Sequence, residues 1–239
     1  SGGLHGVGAS VVNALSKWLE VEVYQNGKVY YQKYITGTDA KGKMHVGKPV
    51  ESLKEIGETK KKGSKITFLA DDTIFDTIDF QFDVVRRRLR ELAFLTKGLH
   101  ITLIDERQLT NGRPRKEIFE YTGGIVDFVL YLNKEKTPLH AAPILLEGIR
   151  NGVVVSIAMQ YNSSYTESIF SYVNNIPTTE GGMHETGFKT AITKVMNDYA
   201  RSNNLLKDKE PNLTGDDFRE GLCAVVNIKM KNVQFEGQT

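Results

Sequence analysis

The chain has 239 residues, of which 40% are hydrophobic and 25% are charged, and its formal net charge is +2. This near balance of charge is not that of a dedicated nucleic-acid-binding module, which carries a clear basic excess. The single cysteine, Cys223, excludes an internal disulfide framework, and no apolar run approaches the ~18 residues that span a bilayer, so we predict a cytoplasmic protein with no membrane partner.

In chain order, the first predicted element is a buried helix that begins near Ala9, directly behind four glycines. Apolar residues recur there at helical spacing. They are Val11, Val12, Leu15, Trp18 and Leu19. Two alternating runs then flank Asn26-Gly27, which predicts a β-hairpin with a type I′ turn. The polar residues 36–62 indicate a loop with one edge strand.

A short strand is predicted in "SKITFLA", and a helix follows from about Phe82 to Leu92. Lys97-Gly98 is typical of the C-terminal cap of such a helix. The runs "LHITLIDER" and "KEIFEY" flank Asn111-Gly112 and predict a second, looser hairpin.

A second block of elements begins at Gly123-Gly124. It contains a helix in "IVDFVLYLN", strands in "ILLEGIR", "VVVSIAMQY" and "SIFSYVNNI", a helix at about 187–202, and a last strand in "GLCAVVNIKM". Asn151-Gly152 joins the first two strands. The apolar face of the long helix is predicted to be Phe188, Ile192, Val195 and Tyr199. Helices and strands alternate in both blocks, which predicts an α+β fold with two domains, residues 1–122 and 123–239.

The opening stretch "SGGLHGVG" combines pliable backbone with the start of a helix. Gly3, Gly6 and Gly8 allow a ligand to approach the backbone because no Cβ is in the way. A helix N-terminus presents unpaired N–H groups and a positive dipole end, which together favour an anion such as phosphate. The spacing matches neither the Lys-containing phosphate loop nor the dinucleotide fingerprint. A flexible start of a helix without a ligand accounts for the glycines equally well.

The segment "SGGLHGVGASVVNALS" resembles the last nucleotide-binding motif of the GHKL ATPases, in the form found in the B subunits of bacterial type IIA topoisomerases. The resemblance continues through seven further blocks in the family's order. They are "KKKGSKITF", "RLRELAFLTKG", "EYTGGIVDFVLYLNKEKTPLH", "AMQYN", "YVNNIPTTEGGMHETGF", "TGDDFREGL" and "VQFEGQT". "RELAFL", "NNI" and the spacing before "QFEGQT" look more like the gyrase branch than the topoisomerase IV branch. The resemblance implies a truncated GHKL-type α/β sandwich followed by a transducer domain with a ribosomal-protein-S5-like fold.

The resemblance also implies an ATP site. Its phosphate-binding backbone is Gly3, Leu4, His5, Gly6, Val7 and Gly8. Ser64 stands where the family usually has Thr, whose hydroxyl joins the water-mediated bonds to adenine, although by itself it is simply a serine at the start of a strand. Gln238 matches a transducer residue that reaches the γ-phosphate. Gln25 replaces an Arg that many gyrase B subunits have at the pocket edge, where it contacts aminocoumarin inhibitors.

Other parts of that site are expected outside the sequence. In the family, the general-base Glu and the Asn that holds Mg²⁺ precede the position of Ser1, and a Lys follows that of Thr239. We therefore expect a piece of a longer subunit that contains no catalytic residue or metal ligand and does not turn over ATP alone. The complete subunit is expected to dimerise with ATP, to join the A subunit of DNA gyrase in a heterotetramer of two A and two B subunits, and to trap double-stranded DNA. The alternatives are the B subunit of topoisomerase IV and a GHKL module that senses nucleotide without hydrolysis.

Several other features have competing interpretations. The five histidines are scattered without ligand spacing, so a metal site built from them is not predicted. Cys223 lies in an apolar strand, which favours a buried, inert thiol.

The arginines of "RRRLR" predict either a solvated helix face or a contact with DNA phosphates or a partner domain. In "EGGMHETGF", Glu185 favours a structural helix start over a phosphate site. Met183 stands where the family has Thr, and the sequence does not determine its effect, although Met can fill an apolar gap.

Overall fold

The structure is a computed structural model, and it describes residues 7–38 and 40–235, apart from the side chains of Gln108 and Thr110. The chain divides into two compact units, one that ends at Phe80 and one that begins at Gln81. The sequence placed a domain boundary between residues 122 and 123, and that boundary stays a prediction. The two divisions differ because a helix in residues 82–95 shares a core with residues that follow 123.

In its described residues, the first unit contains one short helix and a five-stranded antiparallel sheet. Its elements are α1 (Gly8–Ala14), β1 (Ser16–Gln25), β2 (Lys28–Thr38), β3 (Met44–Pro49), β4 (Lys54–Glu58) and β5 (Gly63–Ala70). The strand order is β3-β2-β1-β5, and β4 also pairs with β2. Asn26 and Gly27 have φ angles of 54° and 79°, which are the left-handed values of a type I′ turn. The first predicted hairpin is therefore confirmed.

Two predictions for the first unit were wrong. Helix α1 ends at Ala14 and has no buried residue, whereas Trp18 and Leu19, predicted on its apolar face, lie in β1. Strand β1 pairs with β2 on one edge and with β5 on the other. The hydrogen bonds and side-chain contacts of these two pairings stabilise a strand more than the local spacing of apolar residues favours a helix. The predicted loop at residues 36–62 contains two strands, β3 and β4, both paired with β2.

The two faces of the central strand β1 have opposite character. Leu19, Val21 and Val23 alternate with Glu20 and Glu22 along the strand. Glu20 pairs with Lys33 Nζ of β2 at 2.8 Å, and Glu22 pairs with Lys65 Nζ of β5 at 3.1 Å. Exposed ion pairs contribute at most about 1 kcal/mol, so these pairs mark the charged face of the sheet and add little to its stability.

The second unit contains four helices, a five-stranded sheet and a separate hairpin in its described residues. Its helices are α2 (Phe82–Leu95), α3 (Ile125–Leu132), α4 (Met183–Ser202) and α5 (Gly215–Arg219). Its strands are β6 (Ile101–Thr110), β7 (Arg113–Phe119), β8 (Ile144–Arg150), β9 (Val153–Tyr161), β10 (Ser168–Val173), β11 (Ile176–Pro177) and β12 (Leu222–Lys229). The sheet order is β11-β10-β12-β9-β8, with β10 parallel to β12. Strands β6 and β7 form the hairpin.

The core of the second unit lies on both faces of β12. Cys223 and Val225 pack into a cluster with residues of α2 and α3, while Leu222, Ala224 and Val226 pack against α4. Since successive side chains of a strand point to opposite faces, β12 is buried on both sides. This explains why its sequence is an almost continuous apolar run.

The hairpin turns were predicted well, except for one. Asn111 and Asn151 adopt φ angles of 52° and 51° before their glycines, as expected for hairpins. The predicted strand "SIFSYVNNI", however, is divided by Asn174 and Asn175, whose φ angles are 50° and 66°. Asparagine tolerates this left-handed conformation, so the pair turns the chain and makes two strands, β10 and β11.

The buried face of the long helix also differs from the prediction. Helix α4 begins four residues earlier than predicted, at Met183. Phe188 and Ile192 are buried as expected, but Val195 and Tyr199 are 62% and 60% exposed. The helix instead continues its contact with the sheet through Met196, because an i, i+4, i+8 row follows one side of a helix.

Candidate nucleotide-binding site

The described part of the glycine-rich loop leads directly into α1. Gly3, Leu4, His5 and Gly6 lie outside the described residues, so the structure begins with Val7. Val7 is the N-cap of α1, and its carbonyl accepts a 2.8 Å hydrogen bond from the N–H of Val11. No side chain in the described ranges caps this helix. Among the described residues, the first turn of α1 therefore has no side-chain acceptor at its N-cap, and N–H groups of this kind can be satisfied by an anion.

Helix α1 contacts β1 and β3, and a hydrogen bond joins it to β3. The Nδ2 of Asn13 donates to the carbonyl oxygen of Gly47 at 3.1 Å. Gly47 has a φ of 56°, and a Cβ at this position would overlap the Asn13 side chain. Only glycine satisfies both conditions, so this close approach ties the C-terminal end of α1 to the edge of the sheet.

Ser64 and Gln25 project from the same face of the sheet. Ser64 in β5 pairs directly with Val23 in β1, and Gln25 lies two residues further along β1. Because side chains alternate with a period of two, all three share one face. Both polar side chains are exposed. The structure therefore brings together the predicted adenine-edge residue and the predicted inhibitor-edge residue.

The other predicted site groups are not defined by the described residues. Gln238 lies outside the ranges 7–38 and 40–235. Within those ranges, no three His, Cys, Asp or Glu side chains lie close enough together to hold a metal ion. In the same ranges, no helix is long and apolar enough to span a membrane.

The arginines of α2 mostly serve the packing of the second unit. Arg86 and Arg88 pair with carboxylates of Asp83 and Glu91 on the same helix. Arg90, whose side chain is only 17% exposed, donates to Tyr131 Oη at 2.6 Å and also pairs with a glutamate of β7. Its guanidinium carbon lies 5.1 Å from the Tyr131 ring centroid, a cation–π contact. Neither interpretation of "RRRLR" from the sequence included this internal role.

The start of α4 is a hydrogen-bonded structural feature, as predicted. Glu185 accepts a 2.7 Å hydrogen bond from Ser171 Oγ and pairs with Lys189 Nζ at 3.0 Å. Burial alone would raise the pKa of Glu185, but these two donors lower it below its ordinary value. Burial lowers the pKa of the neighbouring His184. Met183 is 92% exposed, so it does not fill an apolar gap in this structure.

Cys223 is a buried thiol, and we expect it to be unreactive in the folded protein. Its exposure is 0%, and burial raises its pKa to about 11. At pH 8 the thiolate is then about a thousandfold less abundant than the thiol, and the thiolate is the nucleophile. Iodoacetamide labelling followed by mass spectrometry should detect modification only in denaturant. Rapid labelling of the native protein would contradict this expectation.

Comparison with known proteins identifies the family. A family model described as DNA gyrase B matches residues 124–239. The DNA gyrase B subunit of Halalkalibacterium halodurans is 52% identical over 240 residues, which cover 100% of this chain and 36% of that protein. The DNA topoisomerase 4 B subunit of Enterococcus faecalis is 51% identical over 242 residues, which cover 100% of this chain and 33% of that protein. The chain belongs to the family of type IIA topoisomerase B subunits.

A solved structure from this B-subunit family supports the fold. The crystal structure of the 43K ATPase domain of Thermus thermophilus gyrase B, in complex with an aminocoumarin, has a TM-score of 0.79 and 38% identity, and the match covers 98% of this chain and 60% of that chain. The predicted α+β fold, a GHKL-type part followed by an S5-like part, is confirmed. The chain spans between 33% and 56% of the length of the curated B subunits it matches.

Proposed function

We propose that this chain is the C-terminal part of the ATPase domain and the transducer of a DNA gyrase B subunit. In that role it couples ATP binding and hydrolysis to DNA strand passage and negative supercoiling. The observation that carries the proposal is the collinear similarity along the whole chain to B subunits that are named gyrase or topoisomerase 4. We assign the chain to the gyrase branch and not to topoisomerase IV because its motifs "RELAFL" and "NNI" look more like those of gyrase.

The nucleotide site proposed for this protein is built mainly from backbone. The N–H groups of residues 3–8 hold the β- and γ-phosphates, and the uncapped first turn of α1 at Gly8 agrees with that use. The hydroxyl of Ser64, an exposed residue of β5 on the same face as Val23 and Gln25, contributes to recognition of adenine. Gln238 contacts the γ-phosphate, so the transducer distinguishes ATP from ADP. A ligand that contacts only one of two states shifts the equilibrium toward that state.

The remaining chemistry is assigned to the rest of the subunit. When bound, Mg²⁺ neutralises phosphate charge, and its protein ligand is expected upstream of Ser1 together with the general-base Glu. This chain therefore binds and orients the nucleotide but does not turn it over alone. As partners we propose the A subunit of DNA gyrase, double-stranded DNA and a second copy of the complete B subunit, and we propose the cytoplasm as the location.

The decisive experiment uses the complete B subunit with its A subunit on relaxed plasmid, with and without ATP. Negative supercoils that appear only with ATP support gyrase. Decatenation or relaxation without supercoiling moves the assignment to topoisomerase IV, to whose B subunits the chain is also 51–52% identical. Nucleotide binding without hydrolysis or change in DNA topology would favour the non-hydrolysing sensor and would contradict the proposal.

Gln25 leads to a prediction about inhibitors. Gln25 is exposed at the end of β1 on the face that also carries Ser64, and glutamine lacks the charge and the planar fork of arginine. Gln25→Arg should strengthen aminocoumarin inhibition of the complete enzyme by about tenfold, the scale of one hydrogen bond to a charged group.

The inhibition constant for ATP-dependent supercoiling measures this effect. Gln25→Lys is the matched control, because it adds the charge without the bidentate fork and should give a smaller gain. An inhibition constant that is the same in Gln25→Arg and in the wild type would refute the role of this position.

A further inference from the structure

The turn between β10 and β11 holds the chain at the point where it leaves the sheet. The Nδ2 of Asn174 donates to the carbonyl oxygen of Met230 at 2.9 Å, and the N–H of Met230 donates to Asn174 Oδ1 at 3.0 Å. The backbone N–H of Asn174 also donates to the carbonyl oxygen of Ile228 at 2.8 Å. The side-chain amide thus pairs with Met230 as a strand residue would, one step beyond the end of β12 at Lys229.

The same turn is fixed from its other side by α2. Asn175 Nδ2 donates to Thr96 Oγ1 at 3.1 Å, and Arg88 Nη2 donates to the carbonyl oxygen of Asn175 at 3.3 Å. Glu91 accepts hydrogen bonds from Arg88 and, at 3.0 Å, from the hydroxyl of Tyr172 in β10. Helix α2 therefore holds the turn through Asn175, and the turn binds Met230 through Asn174. Two consecutive left-handed asparagines are costly unless their side chains are used.

We propose that Asn174 is a positioning residue that fixes, at Met230, the start of the segment that carries Gln238. The inference rests on the proposed function, in which Gln238 contacts the γ-phosphate. Gln238 follows Met230 by eight residues in the sequence. A segment whose start is already held loses less conformational freedom when its far end binds a ligand. ADP has no γ-phosphate, so the anchor strengthens the binding of triphosphate and leaves the binding of diphosphate unchanged.

The test uses Asn174→Gly in the complete B subunit. Glycine keeps the left-handed turn and removes only the side-chain amide. The matched control is Asn151→Gly, because Asn151 has nearly the same φ, 51°, in the β8–β9 turn of the same sheet. Neither variant changes a residue that we place in the nucleotide site.

The first measurement is amide hydrogen exchange, which tests the anchor independently of any enzymatic activity. Asn174→Gly should increase the exchange rate of the Met230 amide by about tenfold, the scale of one ordinary hydrogen bond. Asn151→Gly should leave that amide unchanged. Equal rates for Met230 in the wild type and in Asn174→Gly would overturn the inference.

The second measurement compares the affinities for a non-hydrolysable ATP analogue and for ADP. We expect Asn174→Gly to weaken the binding of the ATP analogue by about tenfold, equivalent to roughly 1.4 kcal/mol, and to leave the affinity for ADP unchanged. An equal loss for both nucleotides, or no loss for either, would overturn the coupling role. If the wild-type protein instead fails to change DNA topology with ATP, the proposed function fails, and the exchange rates still decide whether Asn174 is an anchor.

Discussion

Replacing Phe94 by alanine should lower the free energy of opening of the β12 backbone by about 3–5 kcal/mol, the usual cost of emptying a buried aromatic site. Phe94 is 1% exposed. Its ring lies 3.7 Å from that of Tyr121 and 4.8 Å from that of Phe128, both in stacked geometry. It therefore joins α2 to α3 above the sheet, and truncation leaves a cavity in the middle of the second unit.

Hydrogen exchange of the β12 amides in the complete B subunit measures this loss, because core strands exchange through large openings. Val84→Ala is the control. Val84 belongs to the same helix but is 62% exposed, so its truncation should change the opening free energy by less than about 0.5 kcal/mol. Similar small effects for Phe94→Ala and Val84→Ala would show that α2 does not belong to the core of the second unit.

Replacing Gly8 by alanine should abolish most nucleotide binding while leaving the fold intact. Among the described residues, nothing lies within 4 Å of a Cβ built at Gly8, and its backbone conformation is open to alanine. The described residues therefore give no reason for glycine at this position. A phosphate held against the backbone does give one, since it occupies the space of the Cβ.

We expect Gly8→Ala to weaken the binding of a non-hydrolysable ATP analogue by about 100-fold, because displacement of the phosphate loses charge-assisted hydrogen bonds of about 1.5–3 kcal/mol each. Isothermal titration with the complete protein measures the affinity, and thermal unfolding checks the fold. Gly57→Ala is the control, because Gly57 in β4 also has open space around it in the described residues. Unchanged affinity in Gly8→Ala would exclude a phosphate at this helix start.

Much of the fold could be predicted where the signal was local. The hairpins at Asn26, Asn111 and Asn151 followed from turn residues that adopt positive φ readily. The helix α3 and the strands β8 and β9 were placed by periodicity and by adjacent glycines. The bounds of these elements in the sequence depend on neighbouring residues and not on contacts with distant parts of the chain.

The candidate site could be predicted only in part. The order of the motifs pointed to the glycine-rich loop, to Ser64 and to Gln25, and the register of β1 with β5 brings the last two to one face. The sequence contained "NNI" but not the information that Asn174 pairs with Met230, 56 residues further along the chain. A side chain whose partner is so distant leaves no local pattern.

The sequence by itself determined the family, the α+β class and the three Asn-Gly turns at Asn26, Asn111 and Asn151, because motif order and turn chemistry are properties of neighbouring residues. Only the tertiary structure decided where α1 ends, which face of α4 is buried, and that the turn at Asn174 divides one predicted strand into two. The physical reason is the same in each case. Pairing of distant strands and burial against a sheet stabilise these choices by more than local propensity opposes them.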